Sequence, residues 1–422
     1  MSIYGLLIGI AVVLGIELIR RSYKKLTYLN ILCIVLSALI GARALFLLHN
    51  LEEIKQGTVR VFSVWDGGLA FYGGLIGILL SLLLISKYKK IKLLELTDSV
   101  LIFLPLIHAI GRIGNFFNYE LYGKPTPLPW GIYIPVEYRI ATLKEFSHFH
   151  PVFLYESILN ILSFLILFFV RKKSNQKGLI TGIYFVNYAL IRLFMNTLRI
   201  DKEFFIYLET SDILSCIFLV FGILLLLINM KNEALKNSIA HFLSKIVTLS
   251  LVFTSILSLL LNSKVSLELN ILLALFTLLI PILTMILFKK FGITSDLNVT
   301  NREERPKLFT VISISLLISL FISLFTSQPT LILIYAILNL SFFWGFLITF
   351  FWKISFHMIW STTAIFVIIY IWQIPQLYLL TLLLPLIGWS RLQLKRHTLP
   401  QVLVGFFLTI SCILIVLTLL KF

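Results

Sequence analysis

The stretch HAIGRIGNFFNYELYG, residues 108–123, concentrates hydrogen-bonding and ionisable side chains at the end of an apolar run. Residues three or four apart share a helix face, so His108, Arg112, Asn115 and Tyr119 form one polar stripe. The same spacing in NYALIRLFMNTLRID aligns Tyr188, Arg192, Asn196 and Arg199, and GARALF adds a further cation, Arg43. An arginine at membrane depth costs at least ~2.5 kcal/mol on insertion scales, so it needs a cavity or a partner. Snorkelling, or structural pairing with Glu120, Glu156 or Asp201, satisfies any single arginine. Several arginines, each with polar neighbours at helical spacing, point instead to an anion. Guanidinium groups match phosphate oxygens in pairs, and a lipid phosphate is the anion a membrane offers.

Two further segments carry candidate chemistry. WDGGLAFYGGLIG (65–77) has Tyr72 as a donor or base, with Gly73 and Gly74 allowing close backbone approach; ordinary small-residue helix packing explains the glycines equally well. HFHPVFLYES (148–157) brings His150, Tyr155 and Glu156 to the start of another apolar run, where a lone histidine is more often structural.

The elements that must hold these residues are membrane helices. The chain has 422 residues, 59% hydrophobic and 13% charged, with a mean hydropathy of +0.99. A soluble domain carries about twice that charged fraction. Apolar runs long enough to cross a ~30 Å bilayer core recur throughout, and in lipid such runs must be helices. The expected fold is therefore all-α and polytopic. Spans are predicted at 3–19, 27–48, 68–86, 97–117, 151–170, 179–198 and 210–230. A second set follows at 240–262, 268–289, 308–327, 330–352, 354–372, 376–390 and 399–420. The first bundle has about seven spans, the second six or seven.

The formal charge of +17 sits in short loops, RRSYKK (20–25), KYKKIK (87–92), RKKSNQK (171–177) and KNEALK (231–236), after every second apolar run. That is the positive-inside pattern, and it excludes nucleic acid as a partner. It places the N-terminus and the stretches 49–66, 118–150 and 199–209 outside the cell. Residues 118–150, rich in Pro, Gly, Tyr and Trp, read as a small extracytoplasmic cap. The first segment has no basic n-region and reads as a retained helix. Cys33, Cys216 and Cys412 all lie in apolar runs, so no disulfide framework or thiolate metal site is expected. Composition shifts near 232–238, dividing the chain into domains 1–232 and 233–422.

GRIGNFFNYELYG closely resembles the signature of prolipoprotein diacylglyceryl transferases. YGLLIG (4–9), GAR (41–43), GGLAFYGGLIG (67–77), HPVFLYE (150–156), RLFMNTLR (192–199) and SDILS (211–215) stand around it in that family's order. The resemblance covers about 1–232. It implies transfer of a diacylglyceryl group from phosphatidylglycerol to the lipobox cysteine of a preprolipoprotein, with release of glycerol 1-phosphate. The setting it implies is a bacterial cell (inner) membrane, with the site facing outwards and no cofactor or metal. Within it, Arg112 and Arg192 would stabilise the phosphate, Asn115 and Glu120 would shape the headgroup site, and Tyr4 and Tyr188 would line the lipid cavity. Arg43, Gly73, Gly74, His108, Asn118 and Arg199 complete the substrate contacts. Two positions depart from the pattern: Tyr72 stands where the family often has histidine, and Asn196 where it tends to have glutamate. The second departure removes an expected partner of Arg192 or Arg199.

In the second half, TNREERPK (300–307), WKISFH (352–357) and GWSRLQLKRHTLPQ (388–401) interrupt the apolar pattern. Even numbers of spans separate them, so all three fall at one membrane face, where positive-inside loops would also lie. Their order resembles, more loosely, the motifs of type-2 phosphatidic acid phosphatases. That resemblance implies His397 as nucleophile and His357 as general acid, with Arg305, Ser355, Ser390 and Arg391 cradling phosphate without metal. Gln401 stands where an aspartate normally orients the nucleophile. A lipid-phosphate phosphatase fused to the transferase would consume glycerol 1-phosphate or recycle a lipid phosphate, although positive-inside counting puts the two sites on opposite faces. Different readings of the arginine stripes are a phospholipid transporter or flippase, and a non-catalytic lipid-binding membrane protein.

Overall fold

The computed structural model describes residues 3–55, 61, 68–200, 204–205, 208–262, 265–295, 299, 301–326 and 328–420. The chain separates into two compact units, Met1–Asn229 and Met230–Phe422. Both are bundles of α-helices, and eleven helical spans among the described residues are long and apolar enough to cross a membrane. The protein is an all-α, polytopic membrane protein.

The first unit contains α1 (Ile3–Ser22), α2 (Tyr28–His49), α3 (Leu51–Lys55), α4 (Phe71–Lys89), α5 (Leu93–Leu101), α6 (Leu104–Phe117), α7 (Val152–Lys173), α8 (Leu179–Asn196) and α9 (Thr210–Asn229). The span expected at 97–117 is present as Leu93–Phe117, interrupted between α5 and α6. Phe103 donates to Val100 O in a tight turn, and Pro105, which has no N–H to give, sits in the first turn of α6. α2 and α4 approach until their backbones touch: a Cβ on Gly73 would lie 2.2 Å from Gly41 O, and one on Gly77 would lie 2.0 Å from Ser37 O. Only glycine permits that approach, and small-residue contacts of this kind hold helices together where lipid offers no hydrophobic drive.

At one end of this unit the basic loops converge on Glu95, which accepts from Tyr23 Oη (2.6 Å) and Lys25 Nζ (2.9 Å) and pairs with Lys177. Asp98, 1% exposed, caps the start of α8 by accepting from Gly178 N (2.7 Å), Thr181 N (2.8 Å) and Thr181 Oγ1 (2.6 Å). At the other end residues 118–150 fold over the bundle. β1 (Ile132–Tyr133) pairs antiparallel with β2 (His148–Phe149), above a small core of Tyr122, Ile134 and Phe149. Gly123 bridges to Arg199, which ties this cap to the end of α8. A second short hairpin, β3 (Phe204–Phe205) with β4 (Leu208–Glu209), leads into α9.

The second unit comprises α10 (Glu233–Phe242), α11 (Thr248–Asn262), α12 (Leu267–Ala274), α13 (Ile280–Lys290), α14 (Arg305–Leu324), α15 (Pro329–Phe351), α16 (Phe356–Trp372), α17 (Leu383–Gln393) and α18 (Leu399–Leu419). Wide π turns at Leu243–Val247 and Leu275–Leu279 join α10 to α11 and α12 to α13. No feature of the sequence announced them.

Candidate functional site

In the first unit the polar stripes meet at one carboxylate. Glu156, on the first turns of α7, is 3% exposed. Its Oε2 pairs with Arg112 Nε from α6, while its Oε1 lies 3.5 Å from an Arg192 nitrogen on α8 and 3.4 Å from one of Arg199 just beyond that helix. Three guanidinium groups thus share one carboxylate, and this cluster carries two positive charges in excess. A buried excess of that kind is suited to a phosphodiester.

The floor of the cluster is aromatic. His108 stacks on Phe71 at 5.1 Å and Phe71 stacks on Tyr188 at 5.0 Å, so α4, α6 and α8 meet through parallel rings. Above it the chain turns sharply. α6 ends at Phe117, and Tyr119 and Leu121 both take φ of +55°, so the stripe expected to continue to Tyr119 stops at Asn115. Tyr119 leaves the helix face and packs against Tyr138 of the cap, with ring centroids 4.8 Å apart and the planes tilted by 33°. The turn gathers Glu120, which accepts from Asn115 Nδ2 (3.2 Å) and Asn118 Nδ2 (3.3 Å).

Other expected site residues have structural duties. Arg43 donates from Nε to Val61 O and from a terminal nitrogen to Gly68 O, both at 3.0 Å, so it fastens the loop before α4. Gly73 is the contact with α2, and Gly74 lies against Ala38. The Tyr72 hydroxyl donates to Ser211 O on α9 at 3.3 Å. The Tyr4 side chain, Asp201 and residues 65–67 lie outside the described residues.

Two corrections concern acids. The partner expected to be lost with glutamate at position 196 is present: Glu156 serves Arg192 and Arg199 as well as Arg112. Sequence reasoning gave Glu156 only a structural pairing. Its signal was an acid placed inside an apolar helix. Asp212 was passed over altogether, although it stands in the SDILS segment and accepts from Asn196 Nδ2 at 2.7 Å.

In the second unit the three polar islands come together. Arg305 donates to Val299 O (2.9 Å) and Ile354 O (3.2 Å), and Ser355 N donates to Gln401 O (3.2 Å). Arg391 lies 2.5 Å from Ser244 Oγ, in the π turn, and 3.4 Å from His357 Nε2. His397, in the loop before α18, has Nδ1 3.3 Å from Gln401 Oε1. Gln401 Oε1, which also accepts from Thr398 N, favours a proton on Nδ1. Burial, with Arg391, Arg305 and Lys353 nearby, pushes the His397 imidazole down to about 3, so it is neutral at ordinary pH. Ser355 Oγ is buried and has no hydrogen-bond partner among the described residues. Ser390 differs: its hydroxyl is returned to Ile387 O of its own helix at 2.6 Å.

The family model for prolipoprotein diacylglyceryl transferase matches residues 1–228. Relatives named phosphatidylglycerol–prolipoprotein diacylglyceryl transferase include that of Trichormus variabilis, 37% identical over 233 residues, 52% of this chain and 82% of the relative. The protein of that name from Fervidobacterium nodosum is 38% identical over 190 residues, and that from Thermotoga maritima 39% over 191. Each of those two matches covers 44% of this chain and 65% of the relative's length.

Proposed function

The chain belongs to the prolipoprotein diacylglyceryl transferase family, and on that premise we propose that its first unit transfers the diacylglyceryl group of phosphatidylglycerol to the lipobox cysteine of a preprolipoprotein. The observation that carries this reading is the meeting of Arg112, Arg192 and Arg199 at buried Glu156. In the reaction the cysteine sulfur attacks the glyceryl carbon. The carbon–oxygen bond to phosphate breaks, and glycerol 1-phosphate leaves with the electron pair while the thiol gives up its proton. Charge grows on the departing phosphate ester, which is where fixed cations lower the barrier most. Glu156 holds the guanidinium groups in place before substrate arrives, so little reorganisation is needed in the transition state. Asn115, Asn118 and Glu120 close the site beneath the cap.

The basic loops gathered near Glu95 lie at the opposite end of the helices from the cap. By the positive-inside rule the cap and arginine cluster face outwards, and the host membrane is the bacterial cell membrane. The test is purified protein with phosphatidylglycerol and a lipobox peptide, read by mass spectrometry for the thioether. Arg112→Ala is expected to remove product while the protein stays folded. Full activity in that variant overturns the assignment, and headgroup movement across proteoliposomes without product favours a transporter.

We further propose that the second unit handles a phosphate monoester. The clustering of Arg305, Ser355, His357, Arg391 and His397 supports this. His397 Nε2 would attack phosphorus as the phosphorus–oxygen bond to the leaving alcohol breaks, and His357 would pass a proton to that oxygen. Water would then attack the phosphohistidine and release inorganic phosphate, with the arginines binding the phosphate oxygens throughout. Release of inorganic phosphate from lipid phosphates is expected to vanish in His397→Ala; unchanged release rejects the role.

A further inference from the structure

The orientation of one buried amide bears on which lipid the first unit accepts. Asn196 closes α8 and is 2% exposed. Its Nδ2 donates to Ser211 Oγ at 2.6 Å and to Asp212 Oδ1 at 2.7 Å, so both amide hydrogens are committed to α9. An ionised carboxylate only accepts, and Asp212 therefore dictates which way the amide turns. The NH2 group faces α9 and the carbonyl oxygen faces away from it. That oxygen, Asn196 Oδ1, is buried and has no hydrogen-bond partner among the described residues. A buried acceptor in this condition is uncommon and calls for a donor.

Its neighbours say which donor suits it. Arg192 precedes Asn196 by four residues, so the two share a face of α8, and Arg199 follows just beyond the end of that helix. Both arginines reach Glu156, in the cluster read above as the phosphate site. A neutral acceptor next in the chain to a cluster with excess positive charge suits a neutral hydroxyl; an ammonium donor would meet like charge there. We propose that Asn196 Oδ1 accepts a hydrogen bond from a hydroxyl of the glycerol headgroup, with Asp212 as the residue that positions it. The pair then selects phosphatidylglycerol over lipids whose headgroup carries an amine or no hydroxyl donor. This rests on reading the arginine cluster as a phospholipid headgroup site.

The test separates that premise from the proposal by measuring lipid binding and transfer independently. Full-length protein in detergent would be titrated with phosphatidylglycerol, phosphatidylethanolamine and phosphatidic acid, and bound lipid quantified by native mass spectrometry. In Asn196→Leu, affinity for phosphatidylglycerol is expected to fall about tenfold, the scale of one lost hydrogen bond at a buried group, with phosphatidic acid hardly affected. Asp212→Asn keeps Asn196 but lets its amide turn over; a smaller loss of the same preference is expected, and Asp212→Glu should restore it. Equal losses for all three lipids in Asp212→Asn, or unchanged preference, overturn the proposal. So does an effect confined to the KM for peptide, which would make the cysteine thiol the donor. A wild-type protein that selects phosphatidylglycerol through Asn196 yet forms no thioether would refute the transfer reaction and leave this selection standing.

Discussion

Replacing Glu156 with glutamine keeps the side chain's volume and removes its charge. The carboxylate is almost wholly buried, and the Arg112 and Arg192 side chains keep only 17% and 15% exposure, so solvent screens little of the interaction. Removing one member of a buried ion pair costs ~3–5 kcal/mol, because the other charge is left uncompensated. Here three cations lose their shared partner at once. If only the lower figure, about 3 kcal/mol, is felt in the transition state, transfer falls by about two orders of magnitude. The added positive charge still attracts an anionic lipid, so the loss is expected mainly in kcat, with KM for phosphatidylglycerol little raised. Initial rates of thioether formation across a lipid titration measure both constants, and the thermal unfolding of the same samples should move downwards. A Glu156→Gln protein with wild-type kcat would refute the idea that this carboxylate fixes the arginines.

Three further outcomes follow from the packing and protonation of the chain. Gly73→Leu drives a side chain into Gly41 O, where even a Cβ would sit 2.2 Å away, and should abolish stable expression; a folded Gly73→Leu protein would contradict the α2–α4 contact. Asp98→Asn leaves one oxygen to serve three donors and should cost about 1–3 kcal/mol, seen as a lower unfolding temperature with an unchanged transfer rate. For His397 the folded-state pKa lies below the unfolded one, so acid is taken up by the unfolded chain first. Stability is therefore expected to decline as pH falls from about 6.5 towards 3, less steeply in His397→Gln, as melts at stepped pH would show.

Much of the fold was legible because lipid constrains it so strongly. Long apolar runs have to be helices, and the lysine-rich loops alternate with them. The break at Phe103–Leu104 was hidden, because Pro105 sits inside an apolar run that reads as one span. The π turns were hidden for a related reason: Leu275–Leu279 keeps the same largely apolar character whether four or five residues close each turn. In the site, arginine spacing exposed the cations, since each sits on a helix with polar neighbours. Glu156 was undervalued because its three partners come from elements distant in sequence, and Asp212 because its contact with Asn196 crosses from α8 to α9. Spacing along one helix shows which residues share a face; it does not show what faces them.

The central claim is that the arginine cluster on Glu156 expels a glycerol phosphate as a thioether forms. The most direct test uses phosphatidylglycerol with a labelled headgroup and a lipobox peptide in the His397→Ala background, which removes the hydrolysis proposed for the second unit. Glycerol 1-phosphate and thioether peptide should appear in equal amounts, and both should be lost in Arg112→Ala. Headgroup release without thioether, or equal products from the Arg112→Ala protein, would contradict it.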